Sequence, residues 1–380
     1  MKNIIYLDHA AATPLDPLVL KSMEPYFTEK FYNPSATYLL AQAVQKDLEI
    51  ARSAIANILG SKPSEIIFTA GGTEANNLAI KGIMEQFPLS NVVLSAIEHD
   101  SVMQPGKQYK HKIAPVGLDG IIDTDKLLDI IDDQTVLLSI MYCNNEVGSV
   151  QPIHRIATAL EAVKKARLLK GNNLPLYFHS DAAQAGNYLD MHVARLGLDL
   201  MTINGGKIYG PKQSGALFVK TGIVLRPQIL GGGQEFGIRS GTENVAADIG
   251  LAKALNISQG IRHEETQRLG QLQSMFMELL NNKIPGIVIN GSLKYRLANN
   301  IHITLPGQDN ERILMLLDEA GILAAAGSAC SASQEEPSHV LKAMGISESD
   351  AQSSIRLTMG RQTDQSSIKR VVDVLSSLSI

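Results

Sequence analysis

The stretch "EIIFTAGGTEANNLAIKG", Glu65 to Gly82, decides the fold. A short apolar run ends on two glycines, and a run with helical spacing follows. Buried strand, tight turn and helix form the repeating unit of α/β proteins. The alternation recurs downstream. "NVVLSA" (91–96), "TVLLSIMYC" (135–143), "LYFHSDA" (176–182), "DLMTING" (199–205) and "GALFVK" (215–220) are near-continuous apolar runs. Parallel strands covered on both faces read this way. Helices are predicted between several of them, one over 36–59 stopped by Gly60 and another over 153–169. The pattern implies a mainly parallel sheet reaching to about residue 255.

The remainder reads differently. "HEETQRLGQLQSMFMELLNN" is a helix and "NNIHITLP" a strand. "DNERILMLLDEAG" is a helix with Asp309 as N-cap and Gly321 as its stop. "SSIRLTMG" alternates, with Ile355, Leu357 and Met359 on one face and Arg356 and Thr358 on the other. We expect a large domain over 15–255 and a smaller α+β domain built from 1–14 and 256–380. No internal repeat is present.

Composition narrows the function. A chain of 380 residues exceeds one small core. With 44% hydrophobic residues and a net charge of -4, nothing favours nucleic acid or an anionic membrane as partner. No run approaches the roughly 18 apolar residues of a spanning helix. In "MKNIIYLDHAAATP", Asp8 and His9 interrupt the apolar start before a signal-peptide core forms. Two cysteines make no disulfide framework, so a cytoplasmic protein is expected. Neither cysteine has metal-ligand spacing to another cysteine or histidine, so no metal site is expected.

In open α/β sheets, ligands bind beyond the carboxyl ends of the strands. After "EIIFTA", Gly71 and Gly72 free the backbone and Thr73 opens a helix. This would suit an anion such as phosphate, although an ordinary strand-to-helix turn reads the same. After "NVVLSA" comes His99, which by itself could be merely structural. Asn145 and Glu146 follow the third run. Asp181 ends an apolar strand with Gln184 three residues on, and a buried carboxylate there needs a cation or several donors. Lys207 follows "DLMTI" between glycines, where desolvation would free its amine as a nucleophile; a surface lysine in a loop is the plain alternative. All of these fall on one edge of one sheet. A ligand with a phosphate, a protonatable ring nitrogen and an aldehyde would use them together. Pyridoxal 5'-phosphate is that ligand.

The motifs "YLDHAAATPLDP", "NPSATY", "EIIFTAGGTEANNLAIKG", "EHDSV", "SIMYCNNEVGSVQPI", "HSDAAQAG", "KIYGPK", "GGGQEFGIRSGTEN", "GSACSAS" with "EPSHVLKAMG", and "SSIRLTMGR" cover nearly the whole chain. In this order the chain resembles the cysteine desulfurases of the class V aminotransferase group, fold-type-I pyridoxal-phosphate enzymes. The resemblance implies a mainly parallel seven-stranded sheet, a homodimer, and conversion of L-cysteine to L-alanine. Lys207 would condense with the cofactor aldehyde and later move the substrate's α-proton. Asp181 would pair with the ring nitrogen, Gln184 and Asn145 would bond near the phenolic oxygen, and His99 would stack on the ring as an acid/base candidate. Gly72, Thr73 and Asn204 would hold the phosphate, with Thr242 reaching the phosphate of the partner subunit. Arg356, assisted by Asn145, would grip the substrate carboxylate.

"GILAAAGSACSASQEEPSHVL" (321–341) then finds its use. Cys330 would attack the substrate sulfur and carry it as a persulfide. A mobile loop of small residues, about 324–335, would let the thiol reach in and deliver outward. A small buried hydrophobe is the alternative for a lone cysteine, and it suits Cys143 better. The sulfur would pass to an acceptor protein for iron–sulfur cluster assembly or tRNA thiolation. The competing expectations are a selenocysteine lyase or other lyase of this fold, and a sulfur-handling subunit with impaired cofactor binding.

The last expectation comes from "NGGK". Relatives usually read Ser-x-His-Lys there, and Asn204 and Gly206 replace two phosphate donors. Smaller departures are His9 for Asn or Tyr, Tyr38 for His and Gln213 for Gly. The sequence stops at Ile380, whereas some relatives carry a longer tail that helps dock an iron–sulfur scaffold.

Overall fold

The computed structural model describes residues 4–327 and 337–378. Their strands are β1 Ile5–Tyr6, β2 Ile66–Thr69, β3 Asn91–Ser95, β4 His111–Ala114, β5 Thr135–Ser139, β6 Tyr177–Asp181, β7 Leu200–Asn204, β8 Gly215–Val219, β9 Val288–Ile289, β10 Asn300–Thr304, β11 Ile322–Leu323 and β12 Ser354–Thr358. Seven of them form the central sheet, in the order β2-β8-β7-β6-β5-β3-β4. Five neighbours, β7 to β4, pair in parallel. β8 is antiparallel to both β7 and β2. All the sheet strands except β8 therefore run the same way.

The apolar runs were read as parallel, and β8 departs from that. Only residues 205–214 separate β7 from β8. A parallel return needs a crossover of a dozen or more residues, so a link this short turns the chain back. β4 was not foreseen. It lies at the sheet's edge, and "HKIA" is half exposed rather than uniformly apolar. The third run ends its pairing at Ser139, so residues 140–143 continue as buried irregular chain and Cys143 lies beyond the strand.

Helices cover the sheet. Leu39–Leu59 begins three residues later than the sequence suggests, because Tyr38 is extended at its N-cap. It ends at Gly60 with φ +65°. A Cβ there would come within 2.2 Å of the His192 ring, so both backbone and space require glycine. Ile153–Leu169 falls where predicted. Asp309 caps Asn310–Glu319 by accepting the Arg312 N–H at 2.9 Å.

Two smaller sheets stand apart. β12, β10 and β9 pair antiparallel. β1 pairs in parallel with β11, and Asp8 bridges to Thr358. The N-terminal residues thus lie beside the last third of the chain.

One buried ion pair pins the segment 229–241 to the large sheet. Arg52 bonds both oxygens of Glu235 at 2.7 Å, and Glu235 also accepts the Phe68 N–H at 2.8 Å. The guanidinium lies against the rings of Phe68 and Phe236, at 4.7 and 5.1 Å. Glu235 and Phe236 have φ of +47° and +58°, a region that L residues enter at a cost. The bidentate pair offsets that cost. Replacing Glu235 by Gln removes the buried bidentate counter-charge and leaves Arg52 only the more exposed Glu49, at 3.2 Å from its Nε. We expect a loss of about 3–5 kcal/mol in urea unfolding for Glu235→Gln, against a smaller loss for the double exchange Arg52→Met with Glu235→Leu.

Two histidines are sealed in the interior. His179 contacts Ser139 Oγ at 2.8 Å and Thr202 Oγ1 at 3.1 Å; His302 contacts Asn290 Nδ2 at 3.0 Å. Burial lowers both to about 3, aided at His302 by the charges of Arg296 and Arg356. The unfolded chain takes up these protons below about pH 6.5, whereas the folded chain does so only near pH 3. Stability is therefore complete above that range and falls with pH by about 1.4 kcal/mol per unit for each ring. The urea midpoint should drop from pH 6.5 to 4.5, and His302→Gln should flatten the slope. Equal slopes would refute the assignment.

Candidate active site

The carboxyl ends of β2, β3, β5, β6 and β7 surround a partly open cleft. Gly72, Thr73, His99, Asn145, Asp181, Gln184, Asn204, Lys207 and Arg356 all line it. These are nine of the ten sequence-derived candidates that fall within the described residues. The tenth, Thr242, does not line this cleft and is exposed on its own chain. Cys330 lies outside the described residues.

β2 delivers the chain to Gly71, whose φ of +137° is open to glycine alone. The helix Gly72–Met84 starts there, with its first N–H groups facing outward at its end. A Cβ on Gly72 would sit 3.2 Å from Asn204 Nδ2, so the two residues share the floor of this corner. Asn204 Oδ1 accepts the Gly206 N–H at 3.1 Å. A Cβ on Gly206 would meet its nearest atom, Asn204 Oδ1, only at 3.6 Å, so space beside it remains open. A second cavity with Lys212 and Gln213 in its wall adjoins this corner.

Lys207 closes a short 3-10 turn after β7, and its Nζ donates to the Ala11 carbonyl. Asp181 ends β6. Its oxygens accept from Asn76 Nδ2 at 2.7 Å and from the Ala183 N–H at 2.9 Å. Gln184 Nε2 donates to the Ala10 carbonyl at 2.9 Å. His99 caps the helix Asp100–Gly106, its Nδ1 facing the Ser101 N–H at 3.1 Å and Ser101 Oγ at 2.8 Å.

Arg356 is almost wholly buried on β12. Its Nη2 meets Asp8 Oδ1 at 2.6 Å, and Nη1 donates to the Asn145 carbonyl at 3.2 Å. Arg356 also exchanges backbone hydrogen bonds with Ala325. Farther on, Ser338 donates to Glu146 Oε2 at 2.5 Å. One flank of the stretch that holds Cys330 is thus tied to Arg356 in the cleft wall, and the other to Glu146, the neighbour of cleft-lining Asn145.

Burial disfavours the charged form of two neighbouring groups. Burial, offset in part by the Met141 N–H and reinforced by Asp181, pushes the Glu98 carboxyl well up. Burial and the charge of Asp181 also push the Cys143 thiol well up. Cys143 lines the cleft as a thiol, not as a thiolate.

Sequence reasoning missed Asn76, Ser101 and Asp8. Asn76 lies one turn after Gly72 on the helix face turned to the cleft, a spacing that could have found it. Ser101 follows its histidine by two residues, a common local bonding distance. Asp8 has no such signal, being 348 positions from Arg356.

Comparison with known proteins agrees with this architecture. The family model "Aminotransferase class-V" matches residues 5–371. A protein of Dictyoglomus turgidum named cysteine desulfurase IscS is 38% identical, covering all of this chain and 95% of its own. The X-ray structure of a NifS-like protein from Rickettsia africae ESF-5 superposes with a TM-score of 0.87 at 31% identity, over 99% of each chain. A structure of SspA in complex with cysteine gives 0.80 at 33% identity, over 93% of this chain and 98% of that one. Family match, full-length relatives and sheet order agree: the chain belongs to the class V aminotransferase family.

Proposed function

We infer that the chain is a pyridoxal-phosphate-dependent cysteine desulfurase. It converts L-cysteine to L-alanine and loads the sulfur on Cys330 for an acceptor protein in iron–sulfur cluster assembly or tRNA thiolation. One observation carries this reading: an amine, a buried carboxylate, an arginine and a helix N-terminus line a single cleft. The relatives named cysteine desulfurase favour it over a selenocysteine lyase.

Class V aminotransferases and cysteine desulfurases depend on pyridoxal 5'-phosphate, and the residues present suit that group. Gly71 opens a corner in which a side chain at Gly72 would crowd Asn204. Gly72, Thr73 and Asn204 would hold the phosphate there, Asp181 the ring nitrogen, Gln184 and Asn145 the phenolic edge, and Lys207 the aldehyde carbon. When bound, the cofactor supplies an electron sink for the carbon bearing the substrate amine.

The chain's residues do the rest. Arg356 binds the substrate carboxylate beside Asp8. Lys207 takes the α-proton and returns protons to carbon. Asp181, fixed by two donors, favours the protonated ring nitrogen. The Cys330 thiolate forms a bond to the substrate sulfur as the carbon–sulfur bond breaks. Protonation of that carbon completes alanine, and Cys330 keeps the sulfur as a persulfide. Both flanks anchored at Arg356 and Glu146 support bringing this cysteine to the cleft. Thr242, exposed on its own chain, suits contact with a second copy in a homodimer.

The deciding measurement is cysteine-dependent alanine and sulfide formation with a reductant, alongside the visible absorption spectrum. Wild type should turn over and show a cofactor band. Cys330→Ala should keep the band and lose desulfuration. Undiminished turnover in that variant would favour a lyase, and a protein that takes up no cofactor would overturn the reading.

Cofactor retention gives a second test. Two missing donors at about 1.5–3 kcal/mol each predict weak retention. The open space at Gly206 accommodates the replacement. Titrating cofactor-free protein with pyridoxal 5'-phosphate should show the Asn204→Ser, Gly206→His double variant binding about a hundredfold tighter or more, roughly tenfold or more for each restored donor. Equal affinities would contradict this.

A further inference from the structure

The hydrogen bonds behind the cleft point to one specific protonation pattern. Asn76 is buried, and its Nδ2 lies 2.7 Å from Asp181 Oδ2 and 2.8 Å from Ser101 Oγ. A carboxylate only accepts, so the amide must turn its NH2 toward Asp181. Its second hydrogen then goes to Ser101 Oγ. The Ser101 hydroxyl is left with its own proton to give, and His99 Nδ1 stands 2.8 Å away. The Ser101 backbone N–H points at the same nitrogen from 3.1 Å. A ring nitrogen that faces two donors carries a lone pair, so the proton of the neutral ring sits on Nε2.

We propose that Asn76 and Ser101 are positioning residues that fix His99 as its Nε2–H tautomer and link it to Asp181. Each link has a direction: Asn76 gives one hydrogen to Asp181 and one to Ser101, and Ser101 gives to His99. A proton arriving at Nδ1 would confront both Ser101 donors and break the chain. Proton traffic at His99 therefore runs through Nε2 alone, and the ring offers a ligand a donor, not a lone pair. Asn76 Oδ1 has no hydrogen-bond partner among the described residues, although it is buried in the wall of the cleft. All four side chains of the relay line the same cleft.

What His99 does with its proton rests on the desulfurase reading; the tautomer does not. The test is long-range proton–nitrogen NMR on protein labelled with [15N]histidine, both cofactor-free and loaded with pyridoxal 5'-phosphate. The His99 signals are assigned by their loss in His99→Asn. Wild type should show Nδ1 unprotonated and Nε2 protonated in both states. Ser101→Ala removes the hydroxyl donor but keeps the backbone N–H, so it should shift the Nδ1 resonance and admit a minor Nδ1–H form, and Ser101→Thr, which keeps the hydroxyl, should restore the wild-type signal. In the cysteine assay, Ser101→Ala should lower kcat roughly tenfold, within the range of acid–base contributions, with KM little changed. An Nδ1–H tautomer in wild type, or unaltered signals in Ser101→Ala, would overturn the proposal. Desulfuration together with an Nδ1–H ring would sink only the relay. An inactive protein with an Nε2–H ring would sink only the functional reading.

Discussion

Strand direction is the constraint on which everything else rests. A parallel strand must return by a crossover, so each new strand starts at the same end of the sheet and finishes at the other. β2, β3, β5, β6 and β7 thereby release their following loops along one edge. Those loops carry polar groups that the apolar strands cannot, and each group is held within a residue or a few of a rigid element. Asp181 is the last residue of β6, and Asn204 the last of β7. Such placement fixes a side chain's origin without any need for a dedicated scaffold.

Closure of the cleft comes from far away in sequence. The carbonyls of Ala10 and Ala11 receive Gln184 and Lys207. Thr13 bonds the Gly206 carbonyl and accepts the Tyr209 N–H. The N-terminal segment itself is clasped by β11 and β12. A segment of about ten residues thus joins the large sheet to the last third of the chain. The parts cannot shift independently without breaking bonds at the Lys207 amine.

Much of this was readable in advance, for a physical reason. Buried strands and long amphipathic helices leave periodic signals, so the runs at 66–69, 91–95 and 177–181 and the helix Ile153–Leu169 announced themselves. Most of the residues that line the cleft were legible because they follow those strands closely. The direction of β8 was not legible, since "GALFV" has the same pattern whichever way it is threaded; only the length of its connection decides. β4 was hidden by its exposure at the edge. Asn76 and Ser101 were hidden because their importance lies in whom they touch. Asp8 could be connected to Arg356 only by folding the chain.

The contact between Asp8 and Arg356 has a further meaning for selectivity. The guanidinium that faces the cleft already holds one carboxylate of its own chain. If Arg356 anchors the substrate as proposed, an incoming acid would have to share the fork with this resident rival or displace it. Small anions of the cell, such as acetate or bicarbonate, bring a single weak grip and gain little from the exchange. An amino acid brings a second anchor, its amine, and can bear that competition. On that reading the built-in counter-ion would act as a threshold that keeps the fork clear of casual occupants.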